Sequence, residues 1–114
     1  MKSQTLKMNK DFRRLYYRGK SQASPCLVTY AVKNRLSETR VGITSGKKIG
    51  NAVKRNRSRR LIRAAFAALE GRLNDSYDIV FVARTKTPGV KMQIVLAQME
   101  EQLAKLGMLN DENC

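Results

Sequence analysis

The sequence predicts a single-domain α+β fold in which helices pack on a small sheet, in the chain order α-β-β-α-β-α. Three short runs, CLVTYAV at 26–32, RVGITS at 40–45 and YDIVFVA at 77–83, carry β-branched and aromatic residues of strand character. Three other runs space their apolar residues at i, i+3 and i+4, the helical period. The length of 114 residues supports one modest core and not two.

Asn9 is placed to cap the first helix and Gly19 to close it. Phe12, Leu15 and Tyr16 share one face of that helix, and Arg13, Arg14 and Arg18 lie off it. Residues 21–25 read as a loop leading into the strand 26–32. There Cys26, Val28, Tyr30 and Val32 share one face and Leu27, Thr29 and Ala31 the other. Residues 34–39 suit a hairpin loop, which would return 40–45 antiparallel to the first strand. A glycine-containing loop at 46–51 precedes a helix from Ala52 to Leu69, ended by Gly71. A turn at Asn74, Asp75 and Ser76 leads into the strongest strand, Tyr77 to Ala83. After a loop at 85–89, Val90 to Leu106 forms an amphipathic helix with the stripe Met92, Val95, Leu96, Met99, Leu103 and Leu106. The chain from about Gly107 is expected to fray. The strand–helix–strand unit from Arg40 to Ala83 can form a parallel crossover, whose default hand is right.

Composition narrows the function. The chain has 23 Lys and Arg against 9 Asp and Glu, a net charge of +14, and no histidine. Without histidine there is no usual general base and no nucleophile–His dyad, and the carboxylates are few and scattered. Cys26 and Cys114 stand far apart and form no recognisable metal cluster, so two reduced thiols in a cytoplasmic protein are expected. No stretch approaches the roughly 18 apolar residues of a membrane span, and the first 20 residues lack a signal-peptide core. Such a charge calls for a polyanion. An anionic membrane would need an amphipathic helix with an exposed apolar face, which leaves nucleic acid as the favoured partner.

The charge concentrates in KKIGNAVKRNRSRRLIR, 47–63, which holds Lys47, Lys48, Lys54, Arg55, Arg57, Arg59, Arg60 and Arg63 and no acid. In the helix Leu61, Ile62, Ala65, Phe66 and Leu69 cluster in one arc that should dock on the sheet. Arg55, Arg59 and Arg63 form an i, i+4, i+8 row, with Asn56 and Arg60 adjoining and Arg57 pointing elsewhere. Ordinary solvated helices mix Glu with Lys. Unrelieved like charge at this spacing instead asks for external phosphate, which arginine grips bidentately. Phe12, Tyr16 and Tyr30 are core residues by default. Bordering a basic surface, they are also stacking platforms for unpaired bases, which favours single-stranded RNA.

KKIGNAVKRNRSRRLIRAAF resembles the signature of the bacterial ribonuclease P protein subunit. DFRRLYYRG, CLVTY, VGIT and YDIVFVAR extend the likeness over most of the chain. The resemblance implies a ribosomal-protein-S5-domain-2-like fold with a left-handed β-α-β crossover, against the default. It implies that Lys54, Arg55, Asn56, Arg57, Arg59, Arg60 and Arg63 contact the catalytic RNA. It further implies that Phe12, Tyr16 and Tyr30, with Lys47 and Lys48, form a cleft for the single-stranded 5′ leader of precursor tRNA. Gly46 and Arg59 depart from the common serine and lysine, and Ser58 replaces an aliphatic residue, which would loosen helix packing. The implied activity is endonucleolytic removal of the leader, with catalytic groups and Mg²⁺ on the RNA subunit and no catalytic residue or metal site on the protein. A structural ribosomal or chaperone-like RNA-binding protein is the alternative from another class. A stand-alone nuclease is disfavoured by the missing histidine.

Overall fold

The structure, a computed structural model, describes residues 3–110. Its elements are β1 (Gln4–Thr5), α1 (Asn9–Arg18), β2 (Lys20–Ser24), β3 (Leu27–Lys33), β4 (Arg40–Thr44), α2 (Ala52–Leu69), β5 (Tyr77–Ala83) and α3 (Met92–Lys105). The five strands form one mixed sheet in the order β1-β4-β5-β3-β2. β4 and β5 are parallel neighbours joined through α2, so the expected crossover is present.

Each sheet face carries its own cluster. On one side Leu27, Ala31, Val41, Ile79 and Phe81 meet Ile62, Ala65, Phe66 and Leu69 of α2 and Val95, Met99 and Leu103 of α3. On the other side Val80 meets Leu6 and Leu15, with Phe12, Tyr30, Val32 and Val82 packed around them. The two faces read from alternation in β3 are thus the faces that pack. Burial on both sides puts β5 at the sheet centre, as expected for a nearly continuous apolar run.

Several expectations are corrected. Residues 20–24 are an edge strand rather than a loop, paired with β3 from Lys20↔Ala31 to Ser24↔Leu27. The order therefore gains β2, and the two-residue β1, which lies parallel to β4. β3 and β4 are not a hairpin, because β5 lies between them and pairs with both. The 34–39 connection crosses the end of β5 instead, where the Asn34 amide donates to the Ser76 carbonyl at 3.1 Å. α1 starts at Asn9 after an extended Met8, without a side-chain cap. α2 ends at Leu69 in a tight turn, Glu70–Arg72, that contains Gly71. Residues 107–110 are pinned: Met108 is buried in the α2–α3 core and Leu109 bridges to Leu73. Cys26 is a buried free thiol; Cys114 lies outside the described residues.

One buried acid joins α1 to the sheet. Asp78 of β5 accepts from Arg40 Nε at 2.9 Å and Nη2 at 2.6 Å, from Asn34 Nδ2 at 2.9 Å, and from Arg14 of α1. Asp11 lies 3.8 Å from Arg40 and 3.9 Å from Arg14. Burial pushes the Asp78 carboxyl up, but hydrogen bonds from Arg40 and Asn34, with the charges of Arg40 and Arg14, outweigh it and hold it below the ordinary range. Such a carboxyl stabilises the fold above its unfolded value of about 4 and loses that contribution as pH falls through its folded value. Asp78→Asn is expected to cost about 2 kcal/mol at neutral pH in urea unfolding, less than a fully buried pair because both arginines keep some hydration. The gap to the parent should begin to narrow at about pH 4 and close once the pH falls below the folded value. A gap that does not narrow as the pH is lowered from about 4 contradicts the assignment.

Candidate nucleic-acid interface

The basic helix is held at its start by local chemistry. Asn51 Oδ1 accepts from the Lys54 amide at 3.0 Å, and the Asn51 carbonyl accepts from the Arg55 amide at 3.0 Å. Gly50 precedes the cap with φ 129°, a region that L residues rarely adopt, and a Cβ there would stand 2.9 Å from Lys54 Cδ. From this start α2 buries Ser58, Ile62, Ala65, Phe66 and Leu69, while Leu61 is half-buried. Ser58 leaves no polar group unmet, since its hydroxyl donates to the Lys54 carbonyl at 3.0 Å.

Docking that face leaves the cations outside. Lys54, Asn56, Arg57, Arg59, Arg60 and Arg63 are exposed, and Arg59 Nη2 donates to Asn56 Oδ1 at 2.8 Å, tying the two rows together. Arg55 departs from the expected solvent row. It is half-buried, and its Nε is buried without a hydrogen-bond partner. Arg57 does point elsewhere, its Nε donating to the Pro88 carbonyl at 2.7 Å. No described Asp or Glu pairs with any α2 cation. The described acids with ion pairs serve Arg14, Arg40, Lys33, Arg72 and Lys105.

The aromatic residues stand on the opposite sheet face. Tyr16 and Tyr30 meet edge-on, with ring centroids 4.9 Å apart. Phe12 packs against Gly42, where a Cβ would stand 2.6 Å from its ring, so glycine makes room for it. Phe12 and Tyr30 are half-buried, and Tyr16 is exposed. They therefore combine core packing with open ring surface. Val28, Val82 and Thr44 continue this face through the pairs Val28↔Val82 and Thr44↔Val82, all three partly open. Lys47 and Lys48 are exposed on the tight turn that follows β4; no hydrogen bond or ring contact joins them to the three rings.

The β5–α3 connection adds a cation that helix periodicity could not reveal. Lys86 lines one depression with Val53, Lys54 and Arg57 of α2 and with Pro88. The signal was present as Arg84, Lys86 and Lys91 in eight residues without an acid.

The profile of the family described as Ribonuclease P matches residues 1–107. This chain belongs to the ribonuclease P protein family. The ribonuclease P protein component of Clostridium botulinum (strain Loch Maree / Type A3) is 36% identical over 111 residues, covering 96% of this chain and 100% of the relative. That of Alkaliphilus metalliredigens is 46% identical over 79 residues, 69% of this chain and 71% of the relative. The Staphylococcus aureus ribonuclease P protein structure superposes with a TM-score of 0.83 at 32% identity, covering 96% of this chain and all of that one. The Thermotoga maritima ribonuclease P protein gives 0.75 at 27% identity, covering 86% and 93%.

A ribonuclease P protein is a component of an RNA-based ribonuclease. Among the described residues no three His, Cys, Asp or Glu side chains gather to hold a metal, and Asp11 and Asp78 lie against arginines. No helix among the described residues is long and apolar enough to cross a membrane.

Asn51 gives a direct test of how α2 is positioned. Asn51→Ala should cost about 1 kcal/mol in thermal or urea unfolding, while Asn51→Ser should cost much less. Equal losses would show that the cap does not fix the helix start.

Proposed function

We propose that this cytoplasmic ribonuclease P protein binds the catalytic RNA through α2 and the 5′ leader of precursor tRNA through the face lined by Phe12, Tyr16 and Tyr30. Lys47 and Lys48 serve the leader. Lys54, Arg55, Asn56, Arg57, Arg59, Arg60 and Arg63 serve the RNA subunit, and Lys86 joins them. The observation that carries the reading is the cation row of α2 with no described acid paired to it. Its charges replace diffuse counterions between two polyanions and so lower their repulsion. The half-open rings opposite offer stacking to bases that a single strand leaves unpaired. The reaction is phosphodiester hydrolysis that leaves a 5′-phosphate on the mature tRNA. Its catalytic groups, and the Mg²⁺ that would activate water, belong to the RNA subunit, where no protein general base is needed. The protein contributes binding and orientation.

Cleavage of precursor tRNA by a bacterial ribonuclease P RNA at low millimolar Mg²⁺, with and without the protein, tests this function. The expected result is strong activation by the protein and no cleavage by protein alone. No activation of the cognate RNA by folded protein would favour a structural RNA-binding role.

Two substitutions separate the surfaces. Arg59→Ala with Arg63→Ala should weaken binding to the catalytic RNA and flatten its log–log salt dependence by about 2. An unchanged slope removes α2 from the interface. Tyr16→Ala should weaken precursor binding about tenfold while leaving mature tRNA binding nearly unchanged. Tyr16 serves this test better than Phe12 or Tyr30, whose half-burial would mix binding with folding.

A further inference from the structure

The outer face of α1 is unlike the face that packs on the sheet. Lys10, Arg13, Arg14 and Tyr17 stand at i, i+3, i+4 and i+7, one stripe directed away from the sheet side, where Leu15 is buried and Phe12 half-buried. Tyr17 is 92% exposed, the most open large hydrophobic residue among those described. Among the described residues the side chains of Lys10, Arg13 and Tyr17 make no hydrogen bond, ion pair or ring contact. Arg14 is turned toward Asp78 and Asp11, which leaves Lys10 and Arg13 as the free charges around the ring. A single exposed aromatic residue is ordinary on a protein surface. An aromatic between unpaired cations is different, because together they match the two parts of a nucleotide, base face and phosphate.

Continuity indicates which nucleotide. Tyr16, the next residue, is 44% exposed and meets Tyr30 at the aromatic sheet face. Passing around α1 from the sheet, the surface presents Tyr16, then Arg13, then Tyr17 and Lys10. A strand leaving the sheet face over Tyr16 meets a phosphate ligand and then a second stacking ring.

We propose that the outer face of α1 is a second leader subsite, in which Tyr17 stacks on an unpaired base upstream of the sheet cleft while Arg13 and Lys10 hold the adjoining phosphates. This rests on the proposed leader cleft and extends its length. It makes affinity for precursor tRNA depend on leader length beyond the reach of the cleft, with little dependence on sequence because every base has a stacking face.

The test measures binding of precursor tRNAs with leaders of about 4 and about 12 nucleotides to the holoenzyme carrying parent protein, Tyr17→Ala, Tyr17→Trp, Arg13→Ala or Tyr16→Ala. Tyr17→Ala should weaken binding about tenfold for the long leader and leave the short one unchanged. Tyr17→Trp should retain the long-leader affinity, and abasic upstream nucleotides should abolish the Tyr17 effect. Arg13→Ala should flatten the salt dependence for the long leader alone. A Tyr17→Ala loss equal at both lengths, or no loss at either, overturns the subsite. If Tyr16→Ala still discriminates precursor from mature tRNA in those cases, the cleft stands and only the extension fails. If Tyr16→Ala discriminates neither, the leader-binding reading fails with it.

Discussion

The carboxylate of Asp78 sits inside a chain that has far more cations than acids, and it gathers Arg14, Arg40 and Asn34 around one buried point. Those partners come from α1, from β4 and from the loop that crosses the end of β5. Removing the acid would leave two guanidinium groups crowded together with no opposite charge nearer than Asp11. The pairing fixes α1 against the sheet, and with it the position of Phe12 over Gly42 and of Tyr16 against Tyr30. The aromatic face thus depends on an ion cluster whose arginines are already engaged by acids.

The same scarcity of acid shapes the other face. Each described acid with an ion pair serves a cation outside α2, so the helix keeps its full charge. Like charges at i and i+4 cost a few tenths of a kcal/mol per pair. Burial of Ile62, Phe66 and Leu69 offsets that by about 1.5–3 kcal/mol per side chain. The helix can therefore stay formed while presenting uncompensated charge, and a polyanion that neutralises it removes a strain inherent in the fold. On the proposed reading, a chain without histidine serves phosphodiester hydrolysis by binding, through charge and stacking surface.

Much of this was legible in the sequence, for physical reasons that differ by element. α2 and β5 match their expected bounds because a cap residue, a helical apolar arc and a dense apolar run each mark them locally. β2 was not legible, because KSQAS has no β-branched residue. It is an edge strand whose Ser24 hydroxyl accepts from Gln102 Nε2 at 2.9 Å, a partner 78 positions away. Gln102 itself, buried inside the stripe of α3, also donates to the Leu27 carbonyl at 2.9 Å, and only the assembled fold explains its burial. The position of β5 between β3 and β4 is likewise a long-range result that local turn signals misread as a hairpin. In the candidate interface, the exposed arginines followed from helix periodicity. The inward turn of Arg55 and the arrival of Lys86 depend on loop placement, which periodicity does not encode.

The central claim is that acids hold the structural arginines and leave the α2 arginines to RNA. Arginine modification by a dicarbonyl reagent, read residue by residue by mass spectrometry with and without the catalytic RNA, tests it most directly. The account predicts that Arg59, Arg60 and Arg63 react in the free protein and are protected by RNA, while Arg40 and Arg72 change little. Protection spread evenly over all arginines, or α2 arginines that stay reactive in the complex, would contradict it.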